Sequence, residues 1–155
     1  MTDDLVKIVI EVSDPDFGVS GESLWARPLG NDLYEIENSP WHTLEINYKD
    51  IVRAIAPDDD SKPVFVEVVR RGGHRSIHIY FLEDGLIQSD DILKGVNTLG
   101  ATWEGMDKRL YAVDLAPTVE FDTIADYLEE FQKKNLIELR YAAQPQAAGS
   151  GELIN

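Results

Sequence analysis

The segment Lys62–Leu82, KPVFVEVVRRGGHRSIHIYFL, constrains the fold of this chain more than any other. Val64–Val69 is rich in β-branched and aromatic residues, which fit a pleated, half-buried surface, and Ile77–Leu82 repeats that character. Pro63 stands at the start of the first run, where a missing N–H does least harm. Gly72-Gly73 lies between the runs and tolerates the positive φ of a two-residue hairpin turn. As a turn, the glycines set a register. Val64 then faces Phe81, Val66 faces Ile79 and Val68 faces Ile77 on one side, with Phe65–Tyr80 and Glu67–His78 on the other. A slip of one residue would scramble that sorting. Turn and pattern together predict a hairpin. The competing reading makes Gly72-Gly73 a joint between two domains.

Upstream, Leu5–Val12 alternates as a strand, and Ser23–Leu29 and Leu33–Glu37 flank Gly30-Asn31-Asp32, a second hairpin signal. Asn38–Trp41, NSPW, breaks the pattern because Pro40 restricts itself and the residue before it. Ile51–Ile55 reads as a further strand, followed by the polar turn Ala56–Ser61. Short strands at this spacing predict a small β-barrel or curled antiparallel sheet over residues 1–72. The character then changes. Ser89 is placed to cap a helix with Asp90 and Asp91 in its first turn, and Ile92, Val96 and Leu99 give it one apolar face. Ala101–Trp103 and Arg109–Leu115 read as strands. Asp122 is placed to cap a second helix, Thr123–Lys134, with Ile124, Leu128 and Phe131 inward and Asn135 as its left-handed exit. Leu136–Tyr141 closes the series. Strand, helix, strand, strand, helix, strand is the ferredoxin-like βαββαβ order, expected over residues 73–142. The fold class expected is therefore α+β. Residues 143–155, small, polar and Gly/Pro-broken, are expected to be a disordered tail.

Charge is the strongest compositional signal. Fourteen Lys+Arg stand against 29 Asp+Glu, a net −15. Such a field repels phosphate backbones, so direct nucleic-acid binding is not expected. It speeds encounter with a basic partner, although the same acid also serves plain solubility. The chain has no cysteine, which removes disulfides, thiolate nucleophiles and cysteine–zinc sites. No segment has the length of a membrane span, and the N-terminus is acidic where a secretory signal would be basic. A cytoplasmic, bacterial-type protein without membrane contact is the expectation.

Several segments carry a resemblance. GESLWA at Gly21–Ala26, the NSPW turn, INYKDIVRA at Ile46–Ala54, FVEVVRRGGHRSIHIYF, LGATWEG at Leu99–Gly105 and YAVDLAP at Tyr111–Pro117 together resemble bacterial domain-of-unknown-function family 4265. The resemblance runs from about Lys7 to Tyr141. That family has no established activity, so it implies no catalytic residues. The second half also resembles, in element order alone, the acidic bacterial inhibitors of ribonuclease E.

No reactive set assembles from the sequence. His74 and His78 share parity on one strand and could hold a metal with Glu67, but a cross-strand Glu67–His78 pair explains the same residues. His42 stands apart from them. Ser23 and Ser76 lack a nucleophile-elbow pattern. Asp58-Asp59-Asp60 lacks the spacing and glycine of a calcium loop. No metal, cofactor or enzymatic activity is expected. Trp25 and Trp103, on strands, are expected in the core. Trp41 follows a proline in a turn, where a tryptophan can be a binding hot spot or the plug of a barrel end.

Acid without a reactive centre points to a protein-binding inhibitor, of the immunity or antitoxin type, that docks on a basic toxin or nuclease. Its contact residues would be Asp58, Asp59, Asp60, Asp90, Asp91, Asp126, Glu129, Glu130 and Trp41. The alternative is a small-molecule-binding or sensory domain with its ligand between the two halves, a common location for such sites.

Overall fold

A computed structural model describes residues 4–14 and 18–142; the tail expected over 143–155 lies outside them. Five strands, β1 (Val6–Asp14), β2 (Val19–Gly30), β3 (Leu33–Ile36), β4 (Ile51–Ile55) and β5 (Val64–Arg70), close into a barrel in sequence order. The β2–β3 hairpin turns through Asn31 and Asp32, at φ 57° and 63°, the double positive φ that a twist-matched two-residue turn requires. Closure comes from a parallel contact of β1 with β5, where Val9 faces Val64 and its N–H donates to the Pro63 carbonyl.

The remaining chain forms β6 (Arg75–Phe81), a 3₁₀ turn (Glu83–Gln88), α1 (Ser89–Thr98), β7 (Thr102–Gly105), β8 (Leu110–Leu115), α2 (Phe121–Lys133) and β9 (Ile137–Tyr141). The strand order is β7-β8-β6-β9 with antiparallel neighbours throughout, the arrangement expected of a ferredoxin-like half. The molecule is thus α+β, a barrel followed by a helix-covered sheet.

Each half has its own apolar core. Ile8, Ile10, Leu24, Ile36 and Val52 fill the barrel. Ile77, Ile79 and Phe81 on one face of β6 meet Ile92 and Val96 of α1 and Ile124 and Leu128 of α2. A fully buried aliphatic or aromatic side chain of this kind contributes roughly 1.5–3 kcal/mol. The helix exits fall where glycine and asparagine predict them, with Gly100 at φ 102° and Asn135 at φ 60°. The helix starts do not. Gln88 rather than Ser89 occupies the cap of α1, because the preceding 3₁₀ turn runs straight into the helix and the Ser89 hydroxyl donates back to the Leu86 carbonyl. Glu120 rather than Asp122 precedes α2.

The hairpin predicted across Gly72-Gly73 does not form. β5 pairs with β4, Val68 opposite Val52 and Glu67 opposite Arg53, while β6 pairs with β8 and β9. Alternation tells which face a side chain takes but not which strand lies beside it. What separates the two runs is burial. Val66 and Glu67 of β5 are exposed outside the barrel, whereas Ser76 to Ile79 of β6 are all buried. A strand covered on both faces belongs in the middle of a sheet. The glycines instead make the passage between barrel and sheet. Gly73 has φ 95°, and a Cβ on Gly72 would lie 2.3 Å from the Lys49 carbonyl oxygen.

Trp25 is also outside the core. It faces Lys7 across β1 and β2, is 45% exposed, and carries the Lys7 ammonium 4.9 Å from its ring. Trp103 is half-buried at the margin of the sheet core and donates to Asn97 Oδ1.

Candidate functional site

Strand β6 has two buried faces of opposite character. Ile77, Ile79 and Phe81 point to the helices; Ser76, His78 and Tyr80 therefore point the other way. Register sets Ala112 and Arg140 on either side of His78, and Leu110 and Glu138 on either side of Tyr80. This second face is covered by the connection between β3 and β4, residues 37–50. The buried polar residues gather here: Ser39, His42, Thr43, Asn47 and Asp50 from the connection, Ser76 and His78 from β6. Barrel and sheet thus meet through polar groups, and buried polar groups are costly unless hydrogen-bonded.

Three side chains hold the connection in place. Glu22, on β2, accepts from the backbone N–H groups of Trp41, His42 and Thr43 at 2.6, 3.2 and 2.9 Å. Asn47 Oδ1 accepts from the Ser76 N–H at 2.9 Å, stitching the connection to the sheet. Asp50, fully buried, accepts from the N–H groups of Asn47 and Gly72, both at 2.9 Å, and from the Arg71 guanidinium at 2.8 Å. Burial pushes the Asp50 carboxyl up from its ordinary value, and the two backbone N–H groups and Arg71 pull it back. Asn38 Oδ1 adds a bond from the Trp25 N–H. GES, NSPW, INYKD and RRGG are thus parts of one assembly.

Laid across the sheet, the connection leaves a cleft on each side. The larger, about 510 Å³, lies toward β9, with Trp41 from the connection and His78, Tyr80, Glu138 and Arg140 from the sheet in its lining. Gln132 of α2 also lines it; its Oε1 accepts from the Leu139 N–H, which leaves the amide NH₂ as its remaining donor. Trp41 Nε1 is buried and has no hydrogen-bond acceptor among the described residues. The smaller cleft, about 260 Å³, lies toward β7 and includes Tyr48, Trp103, Glu104 and Asp114. Beside it, His74 Nδ1 sits 3.0 and 2.9 Å from the two Asp114 oxygens, with Tyr48 edge-on at 4.9 Å. Burial raises the Asp114 carboxyl and its bond to His74 lowers it, the rise prevailing.

The residues singled out for partner binding fall in three places. Asp58, Asp59 and Asp60 are exposed on the β4–β5 turn of the barrel, where Asp58 Oδ1 accepts from the Asp60 N–H and the Ser61 hydroxyl. Asp90, Asp91 and Asp126 are exposed on the helical layer, which covers the face of the sheet opposite the β3–β4 connection. Of their neighbours, Glu129 accepts from the Tyr141 hydroxyl and Glu130 pairs with Lys133 at 3.1 Å. Trp41 lies apart from both groups, half-buried beside the larger cleft. The histidine set with Glu67 is not assembled: Glu67 pairs with Arg53 at 3.1 Å on the barrel. Among the described residues no group of three or more His, Asp or Glu is placed to hold a metal, and no helix is long and apolar enough to cross a membrane. Ser23 is exposed on β2, and Ser76 is buried under the connection.

Tyr80, Glu138, Arg140 and Gln132 were not anticipated as a site. A signal existed for the first. In a strand that reads as central, Ser76, His78 and Tyr80 alternate with Ile77, Ile79 and Phe81, and a polar face on such a strand implies a polar cover.

The family model described as "Domain of unknown function (DUF4265)" matches residues 22–139. No curated protein matches the chain. Among solved structures, a hypothetical protein from Neisseria gonorrhoeae aligns with a TM-score of 0.77 over 94% of this chain and 99% of its own, at 15% identity. At that identity the likeness is one of fold.

Proposed function

This chain belongs to the DUF4265 family, and from that footing we propose that it is a small-molecule-binding module whose ligand occupies the larger cleft between barrel and sheet. The carrying observation is the cleft itself. Its volume of about 510 Å³ lies within the roughly 300–1,000 Å³ of small-molecule sites. Its lining combines the Trp41 ring and Leu110 with Tyr80, His78, Glu138 and Arg140, an apolar body with a few polar groups that orient a ligand. Ligand seated against Trp41 also touches the connection that Glu22, Asn47 and Asp50 pin to both halves. Occupancy would thereby reach the barrel, the physical requirement for a sensory role.

A thermal-shift screen against a mixed metabolite library tests this. A ligand that binds only the native state at 100 times its Kd adds about 2.7 kcal/mol. The expected result is a rise of several degrees that is lost in Trp41→Ala. A library that raises the melting temperature of neither protein overturns the proposal.

The acid surface favours a second reading, an inhibitor of the immunity type docked on a basic toxin or nuclease through the exposed helix acids Asp90, Asp91 and Asp126. Attraction between exposed charges is screened within about 8 Å at physiological salt. A pull-down should then recover a basic protein at low salt and lose it as salt rises. Recovery of none under either condition removes this reading.

A further inference from the structure

We infer that a separate, polar cleft at the passage from barrel to sheet binds the phosphate monoester of a small polar molecule, with Arg70 as its principal anchor. This site is distinct from the larger cleft, and the inference stands whether or not that cleft holds a ligand.

The cleft, about 370 Å³, opens at the rim of the barrel. Register sets Glu35, Ile51 and Arg70 side by side there, across β3, β4 and β5. The passage adds Arg71, Gly72 and His74 to the lining, and the connection adds Lys49. The two segments meet by close backbone approach. Lys49 takes the left-handed φ of 73°, and a Cβ on Gly72 would fall 2.3 Å from its carbonyl oxygen. A left-handed lysine is costly unless the surroundings hold it, and here the approach of Gly72 does so.

The charge of this cleft is opposite to that of the protein. Three of the chain's fourteen Lys and Arg residues line it, in a molecule of net −15. Glu35 is the sole carboxylate of the lining, and it lies 3.8 Å from Lys49 and 3.9 Å from Arg27. Arg70 is exposed and makes no hydrogen bond or ion pair among the described residues. Its whole fork of N–H donors is therefore open to a ligand, in the geometry that suits a phosphate. Arg71 spends Nη1 on the Glu45 carbonyl and Asp50, and Lys49 gives one of its three protons to Glu37. Asp114 holds Nδ1 of His74, which leaves Nε2 to face a ligand. That nitrogen donates when the ring is protonated and accepts from a phosphate hydroxyl when it is neutral.

These groups come from three segments and surround the cleft instead of lying in one plane. A carboxylate offers two coplanar oxygens; a phosphate monoester offers three in a tetrahedral array. Ile51 is the sole aliphatic side chain of the lining, so the body attached to the phosphate is polar. It is also small. The acid of the whole protein repels a polyanion, whereas a single phosphate meets the nearby cations inside the roughly 8 Å over which charge acts at physiological salt.

The test is titration calorimetry with inorganic phosphate, ribose 5-phosphate, ribose and acetate at matched ionic strength, beside amide spectra of ¹⁵N-labelled protein. The expected result is that ribose 5-phosphate binds, inorganic phosphate binds more weakly, and ribose does not bind. Acetate should be at least 10-fold weaker than ribose 5-phosphate. The backbone signals of Gly72, Gly73 and His74 should move on binding. Arg70→Ala should lower the affinity by about 10- to 100-fold, the usual worth of hydrogen bonds to a charged group. Its melting temperature should match wild type, since the side chain makes no contact to lose. Arg70→Lys, which keeps the charge without the fork, should fall between. Failure of both phosphorylated probes to bind overturns the assignment, as does acetate binding equal to ribose 5-phosphate or affinity unchanged in Arg70→Ala. Signals that move around Trp41 while Gly72–His74 stay in place also overturn it, and place the probe in the larger cleft.

Discussion

Asp50→Ala is expected to destabilise the protein by about 3–5 kcal/mol, the range found when one member of a buried ion pair is deleted. The side chain is fully buried and Arg71 retains only 13% of its exposure, so solvent cannot replace the lost partner. Two backbone N–H groups, those of Asn47 and Gly72, lose their acceptor with it. The loss is read as a shift in the urea midpoint at constant m, since the protein should still unfold from the same native surface. A shift below about 1 kcal/mol, the level of an exposed pair, would show that Asp50 does not hold the passage between barrel and sheet. The pH dependence has a definite sign. The folded-state value of Asp50 lies above its ordinary one because burial outweighs the bonds it accepts. Its ionisation therefore opposes folding. The contribution of this group is most favourable below the unfolded value of about 3.9 and declines as pH rises through the folded value. Asp50→Asn should lack that part of the slope, measured as the difference from wild type across the window.

The second large effect is expected from Glu22→Ala. One carboxylate serves three consecutive N–H groups, at Trp41, His42 and Thr43. Hydrogen bonds to a charged group contribute roughly 1.5–3 kcal/mol, less where water can substitute. Because this cradle is partly buried, a total loss of about 2–4 kcal/mol is the expectation. The loss should be uneven. Hydrogen exchange at Trp41–Thr43 should accelerate far more than in the barrel core strands, because the connection opens before the barrel does. Any ligand of the larger cleft should also weaken, since Trp41 is one of its walls. Glu22→Gln keeps one acceptor oxygen and should fall between wild type and alanine. Uniform acceleration across the whole chain would show that Glu22 supports the fold at large and not this connection.

Much of the architecture is legible in residue order. The Asn31-Asp32 turn, the apolar stripes of both helices and the left-handed exits at Gly100 and Asn135 depend on local chemistry, which a sequence displays directly. Pairing is different. Val64–Val69 and Ile77–Leu82 complement one another as well as they complement their true neighbours, and the choice is made by what covers each face. Trp25 shows the same limit. Its neighbours Leu24 and Ala26 take the barrel interior, so a large apolar ring is left outside with Lys7 across it. The cleft was still less visible. Arg140, Glu138 and Tyr80 meet only because β9 and β6 are neighbours in space, and their cover comes from a segment some thirty to ninety residues away. Glu22 and Asp50 do appear within the segments that carried the family resemblance, but their partners are backbone N–H groups, which no side-chain pattern reveals.

Barrel closure has a consequence for self-association. A ring of five strands removes the two open edges that a flat sheet would show to a second molecule, although β1 and β5 are joined only at Val9 and Val64. On the sheet, β9 is a border strand, but the Gln132 side chain already takes the Leu139 N–H. Of the two borders of this sheet, the one with no such side chain across it among the described residues is β7, Thr102–Gly105. It is four residues long, too short to template much growth. If crowded molecules of this protein ever join edge to edge, the seam should run along Trp103 and Glu104, and a lysine at Thr102 should be enough to prevent it.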